Sequence, residues 1–355
     1  MKYLVWLTTR LNFSTSVNRY LEKFTAEQIW WMSSDDLSKN GMPDSLGDKS
    51  LARAERIIKI CAAKGIKIIP CPQALNGIKG MPALLYVKGD IDTLKDGLRV
   101  GIVGTRRTTE QGRRLTSRLS NALVDEGCVI ISGGAAGIDT VALVSAVNSG
   151  KRCVAVLGCD IDNYYPAENY SLFTLISEHG VIISEYPPET NARYFPARNR
   201  IIAALSERLV VTEAPEKSGA LITAQYASDY GVPVFSCSPS GDSFKGSREL
   251  IERGAYTFSD TDSIIKNSKA VKLSCVKKDK KIPSGEIKNE KSSVKKYGIP
   301  IYDHIISCIT SGKDTTTAML DGGYPIQEIL QTLTVLEIEG AIISLPGDRY
   351  KVLEI

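Results

Sequence analysis

Seven short apolar runs recur across residues 83–260, at 83–87, 99–103, 128–132, 153–158, 181–184, 208–212 and 233–237. Most of the gaps between them carry helical patterning. In the first full gap, residues 109–126, Leu115, Leu119, Ala122 and Leu123 fall on one helical face. Strands that are apolar throughout, rather than alternating, have both faces covered. Strands of that kind separated by helices form a parallel sheet between helical layers. The expected fold is therefore α/β, a doubly wound, Rossmann-like and mostly parallel sheet. Ligands of such sheets sit at the carboxyl ends of the strands.

The flanks read differently. Residues 1–75 read as a small helical, helix-hairpin-like module: Leu4, Leu7 and Leu11, then Leu21, Phe24 and Ile29, fit a helical stripe. Asp48 or Ser50 can cap a helix over 51–64 that stops at Gly65. The sheet domain is expected over 80–265. Residues 266–296 are rich in Lys and Ser and poor in large apolar groups, the composition of a flexible linker. Residues 297–355 give three helix candidates, at 302–309, 314–319 and 325–339, then a hairpin over 341–353 turning at Pro346-Gly347-Asp348. That order is the order of a winged helix-turn-helix.

Composition narrows the class. No apolar run approaches the roughly 20 residues of a membrane span, and the first residues lack a cleavable leader pattern. The eight cysteines are scattered without a Cys-x-x-Cys pair, which fits a reducing cytoplasm better than a disulfide framework. The net charge of +4 is misleading, because the eleven Lys of residues 266–296 outweigh three acids and give that segment +8. The rest of the chain is slightly acidic, so overall basicity says nothing about nucleic acid.

Four turns carry chemistry. Gly104-Thr105-Arg106 leaves a strand and opens a helix, where free N–H groups accept anions and Arg106 adds a planar phosphate donor; an ordinary turn with a solvated arginine fits equally. Residues 132–139, Ser-Gly-Gly-Ala-Ala-Gly-Ile-Asp, resemble a dinucleotide turn but lack Gly-x-Gly-x-x-Gly spacing. Close helix–sheet packing explains them as well, and Asp139 can cap the helix or hold a sugar hydroxyl. In Phe195-Pro196-Ala197-Arg198-Asn199-Arg200, Phe195 can stack a base and Arg198 and Arg200 can hold phosphates, with Arg193 just upstream. Alternatively, an arginine is tied to Glu185 or Glu213 near a strand end. Ser218-Gly219 caps the next helix, meets a phosphate, or does both. Catalytic groups are thin: the only histidines, His179 and His304, fall in different expected domains, and no Walker motif, nucleophile elbow or metal-ligand spacing occurs.

These turns, with Tyr165-Pro166, Ser184-Glu185 and residues 246–255, stand in the order and spacing of the DNA-processing protein A (DprA/Smf) family, which the chain resembles over 80–260. The resemblance implies a non-enzymatic, cofactor-free protein that binds single-stranded DNA, loads RecA during natural transformation and recombination, and forms homodimers. It implies a DNA pocket at Gly104, Thr105, Arg106, the loop at Arg193, Phe195, Ser218 and Gly219, beside the Arg198-Asn199-Arg200 signature. There are departures: Ala142-Leu143 replaces an Ala-His pair, Pro239-Ser240 replaces Pro-Gly, and hairpin glycines are missing around 11–16. A nucleotide-binding or nucleotide-processing enzyme on a related sheet is the alternative, yet the Pro-Gly-Gly-x-Gly-Thr-x-x-Glu string of such enzymes is absent.

The tail has a charge problem. Residues 297–355 sum to −5, and the third helix offers Gln327, Glu328, Gln331, Glu337 and Glu339 with no Lys or Arg. Phosphate attraction supplies most non-specific affinity for DNA, so this segment is expected to meet protein, another copy or a partner, or else to modulate access to the groove of the sheet domain.

Overall fold

A computed structural model describes residues 1–13, 16–71, 78, 80–190, 194–274, 300–315, 318–324, 329, 332, 333, 336, 342–345 and 349–352. The chain divides into two compact units, Met1–Leu273 and Ser274–Ile355.

The first unit opens with α1 (Lys2–Arg10), α2 (Val17–Leu21), α3 (Ala26–Trp31), α4 (Ser34–Lys39) and α5 (Ala52–Ala63). Capping boxes start two of these short helices, Thr25 with Gln28 for α3 and Ser33 with Asp36 for α4. Ser50 Oγ accepts from Ala52 N at 3.4 Å where α5 begins. Gly65, at φ +65°, follows its end, in the left-handed region that a glycine enters freely.

Strands β1 (Lys67–Pro70) and β2 (Leu84–Gly89) follow. Then come β3 (Arg99–Val103), α6 (Glu110–Asp125), β4 (Val129–Ser132), α7 (Ile138–Asn148), β5 (Cys153–Leu157), α8 (Tyr170–His179) and β6 (Val181–Ser184). The unit closes with α9 (Phe195–Leu205), β7 (Arg208–Val211), α10 (Gly219–Asp229), β8 (Val234–Ser236), α11 (Lys245–Glu252), β9 (Tyr256–Thr257) and α12 (Thr261–Ile265).

All nine strands join one sheet in the order β1-β2-β6-β5-β4-β3-β7-β8-β9. From β6 to β9 every pairing is parallel. Alternate strand residues feed two cores. Ile102, Ile130 and Ala155 pack with Leu123 of α6, Leu143 of α7 and Phe173 of α8, and with Val5 and Trp6 of the N-terminal helices. Val103, Ile131 and Val156 pack with Ile201 of α9, Ala224 of α10 and Leu250 of α11. This is the expected doubly wound α/β sheet.

Two boundaries differ from the sequence reading. The helical stretch ends at Ala63, and residues 67–70 form β1, which pairs antiparallel with β2 while β2 pairs antiparallel with β6. β1 contains Lys67 and Pro70 and is only half-buried, so it lacks the apolar signature of its neighbours; a short edge position tolerates both residues. The expected linker also begins too early. Leu273 is buried, its N–H donates to Ser228 Oγ at 2.8 Å, and that hydroxyl donates to Val271 O at 3.1 Å. The remainder of the Lys-rich stretch, residues 275–299, lies outside the described residues.

In the second unit, α13 (Pro300–Thr310) contains the first expected helix, and β10 (Ile342–Leu345) pairs antiparallel with β11 (Arg349–Val352) as the hairpin requires. Where a helix was expected over 314–319, a single 3-10 turn covers Ala318–Gly322. Ile329, Leu333 and Leu336 are helical and buried with Ile305, Met319 and Ile342. Gln327, Glu328, Gln331, Glu337 and Glu339 lie outside the described residues.

Candidate nucleic-acid interface

The chain builds the sheet outward from β3 through β4 and β5 to β6, then returns to lay β7 on the other side of β3. The carboxyl ends of β3 and β7 are therefore the point where strand order reverses, and a crevice opens there. Backbone contacts close its floor. Thr105 N donates to Glu213 O at 2.7 Å, and Ile138 N donates to Thr105 O at 3.1 Å. A Cβ on Gly104 would stand 2.6 Å from Ile138 Cγ1 and 2.7 Å from Glu213 O. Gly137, at φ +87°, would drive a Cβ into the Thr105 carbonyl. Two of the glycine-rich turns singled out in the sequence are thus parts of one junction, and both glycines are sterically required there.

The acids face inward. Glu213 is fully buried, and its carboxylate accepts from Thr108 Oγ1 at 2.5 Å and from Thr109 N at 3.0 Å. That ties the turn after β3 to the end of β7, and Thr109 then caps α6 through Gly112 N at 3.0 Å. Asp139 is buried in the first turn of α7. Burial pushes its carboxyl above the usual aspartate range, and the charges of Arg198 and Arg106 pull it back. Its Oδ2 accepts from Ala135 N at 3.4 Å. Glu185 is committed to Arg200.

Both arginines of the Arg-Asn-Arg run point away from solvent, which corrects their assignment as phosphate contacts. Arg198 is 4% exposed and donates through Nη1 to the carbonyls of Gly133 and Val156, at the ends of β4 and β5. A Cβ on Gly133 would collide with that guanidinium. Arg200 is 1% exposed; it donates to both oxygens of Glu185, to Ala197 O at 2.9 Å and to Gly80 O. The two side chains fasten α9 to the sheet and so place its first residue. Asn199, between them, donates to Gly219 O at 3.4 Å and links the starts of α9 and α10.

What faces outward is a small cationic and aromatic shelf. Arg106 is exposed, and its guanidinium lies over the Phe195 ring, 5.3 Å from the centroid. Tyr165, 42% exposed, leans on the other partner of this group, with its ring 5.2 Å from that of Phe195 at 41°. Gly158 makes room, since a Cβ there would come within 2.8 Å of Phe195 Cδ1. Tyr194 is 47% exposed beside Phe195, its N–H held by Gly158 O at 2.7 Å. Across the crevice Ser218 caps α10, accepting from Ala220 N at 3.3 Å. Gly219 is exposed, with nothing within 4 Å of a notional Cβ. Arg193 lies outside the described residues. Tyr165 and Tyr194 received no role in the sequence reading, although Tyr165-Pro166 counted toward the resemblance; each is an aromatic in the loop that follows an apolar strand.

Residues 70–269 match the family described as DNA recombination-mediator protein A. Protein Smf of Synechocystis is 42% identical over 224 residues, covering 61% of this chain and 56% of that protein. DNA processing protein DprA of Bacillus subtilis is 36% identical over 218 residues, covering 59% and 73%. The chain thus spans little more than half the length of the first of these relatives. Among solved structures, DprA of Streptococcus pneumoniae superposes with a TM-score of 0.63 at 28% identity, covering 76% of this chain and 98% of that one. DNA processing protein A of Helicobacter pylori, described for its single-stranded DNA binding mode, gives 0.51 at 32% identity, covering 56% and 93%. Among the described residues no helix is long and apolar enough to cross a membrane. With a match that takes in the whole switch-point crevice, from the Gly104 turn to the Ser218 cap, the chain belongs to the DNA recombination-mediator protein A family.

Proposed function

We propose that the protein binds single-stranded DNA in the switch-point crevice and acts as a recombination mediator that loads RecA, without chemistry of its own. The observation that carries this reading is the Arg106–Phe195–Tyr165 group, in which exposed Arg106 and Tyr165 flank a half-buried Phe195. It offers one phosphate donor and aromatic faces, and Asp139, Glu185 and Glu213 are turned inward. Such a surface holds backbone and stacks bases without reading their edges, the mode used on single strands. Arg193, Ser218 and Gly219 complete the pocket in this reading, with backbone N–H groups at the start of α10 facing phosphate. A homodimer formed through the sheet unit would present two such pockets to one strand. The acidic tail, residues 297–355, meets protein rather than DNA.

The test is a mobility-shift assay with oligothymidine beside a nucleotide-hydrolysis assay on the same preparation. Single-strand binding with a steep salt dependence and no hydrolysis is the expected result; turnover of a nucleotide would instead favour the enzyme reading. RecA assembly on protein-coated single strands tests the mediator role, and sedimentation tests the dimer.

A further inference from the structure

Helix α6 leaves the crevice at Thr109 and buries Gly112, Thr116, Leu119 and Leu123 against the sheet. Its outer face is unusually cationic for its position. Arg107, Arg113, Arg114 and Arg118 are all exposed, against the single acid Glu110 in the same stretch. Glu110 pairs with Arg113 at 3.0 Å and with Arg114 at 2.8 Å. Among the described residues, Arg107 and Arg118 take part in no ion pair. The helix then ends on Asp125 and is followed by Glu126.

This arrangement suits the helix's own electrostatics only in part. Acids favour the amino end of a helix and bases the carboxyl end; Glu110 obeys that rule in the first turn of α6, but Arg113 shares that turn, Arg107 stands just before it, and Asp125 and Glu126 close the carboxyl end. Arg114 and Arg118 are also four residues apart, a like-charge spacing that destabilises an isolated helix. The Glu110 pairs give Arg113 and Arg114 a local role, but they leave Arg107 and Arg118 unaccounted for, and a polyanionic partner suits the whole row. Glu110, Arg114 and Arg118 form one row, about 12 Å long at 1.5 Å per residue, and it begins beside Arg106 and Arg107 at the crevice mouth.

We infer that the outer face of α6 carries the sugar–phosphate backbone of a single strand after that strand leaves the crevice at Arg106. The inference rests on the single-strand reading above. It adds a second segment to the footprint, so short and long oligonucleotides must respond differently to changes on this face.

The experiment compares the full chain with an Arg114→Ala/Arg118→Ala variant on oligothymidines of about 4 and about 16 nucleotides, a range of typical single-strand site sizes. Both side chains are exposed, and a thermal melt confirms the fold. Affinity for the long oligomer should fall roughly tenfold at 0.1 M salt, with a salt slope shallower by about 1.4 for two lost phosphate contacts. The short oligomer should bind as before, while Arg106→Ala weakens both. Unchanged binding of the long oligomer, or equal losses on both lengths, overturns the inference while leaving the crevice reading intact. A wild-type chain that binds neither oligomer sinks both. If oligomer binding is unchanged but the variant loses self-association on sedimentation, the face meets a second copy of the chain and the inference is overturned.

Discussion

Nη2 of Arg200 donates to both oxygens of Glu185, at 2.7 and 2.8 Å, and both side chains are almost wholly excluded from water. The pair joins α9 to the loop after β6, so it sets where the Phe195 ring sits without touching what the ring would bind. Removing one partner leaves a buried charge uncompensated. Arg200→Ala should lower stability by about 3–5 kcal/mol, read by denaturant melts. Arg200→Lys should not restore it, because one ammonium cannot also reach the Gly80 and Ala197 carbonyls. Wild-type stability in the alanine variant would show that the pair is dispensable.

Phe195→Ala should weaken oligothymidine binding by roughly 1–3 kcal/mol, the range for loss of one base–aromatic stack. Phe195→Trp should keep most of the affinity. Tyr165→Ala, which removes the ring leaning on Phe195, should give a smaller loss in the same direction. A drop in melting temperature with unaltered affinity would make Phe195 a packing residue only.

Arg106→Ala should reduce the salt slope of single-strand binding by about 0.7, one phosphate contact's worth. Its guanidinium is exposed and makes no ion pair among the described residues, so stability should be unaffected. An unchanged slope would place the phosphate elsewhere in the crevice.

The thiols should be quiet. Burial pushes Cys153 and Cys237 up to about 12 and Cys61 up to about 11. A thiol is nucleophilic only as its thiolate, so alkylation at pH 8 followed by peptide mapping should leave these three unlabelled until denaturant is added. Rapid labelling of Cys153 in the native protein would mean that β5 opens to solvent.

The sheet was legible because most of its parallel strands are apolar on both faces; β3 and β6 begin and end where their runs do, β2, β4, β5, β7 and β8 differ at their ends by one or two residues, and β9, two residues long and partly exposed, had no run. β1 was not legible, since Lys67 and Pro70 leave it with no pattern of its own. The crevice was legible as a set of small-residue turns. The direction of its arginines was legible only as an open alternative: a tie to Glu185 stood beside phosphate contact, and Arg200 makes that tie. Arg198 and Arg200 look solvent-facing beside Asn199, but α9 is buried on nearly every side, with Ala197, Ile201, Ile202, Ala203 and Leu205 all inside. The apolar run from 201 to 205 held that information, and a helix apolar all round sits within a core.

Thr105 donates to Glu213 across 108 positions of chain, and β3 cannot pair with β7 until residues 208–211 exist. Contacts of such long sequence separation form late, because the intervening loop must be closed first. During synthesis from the amino end, the β3 turn and the α7 turn emerge well before the strand that completes their crevice. A nascent chain that stops short of β7 therefore exposes Arg106 without the wall that holds its loop. The wall that fixes the Arg106 turn is thus added only as the sheet unit nears completion.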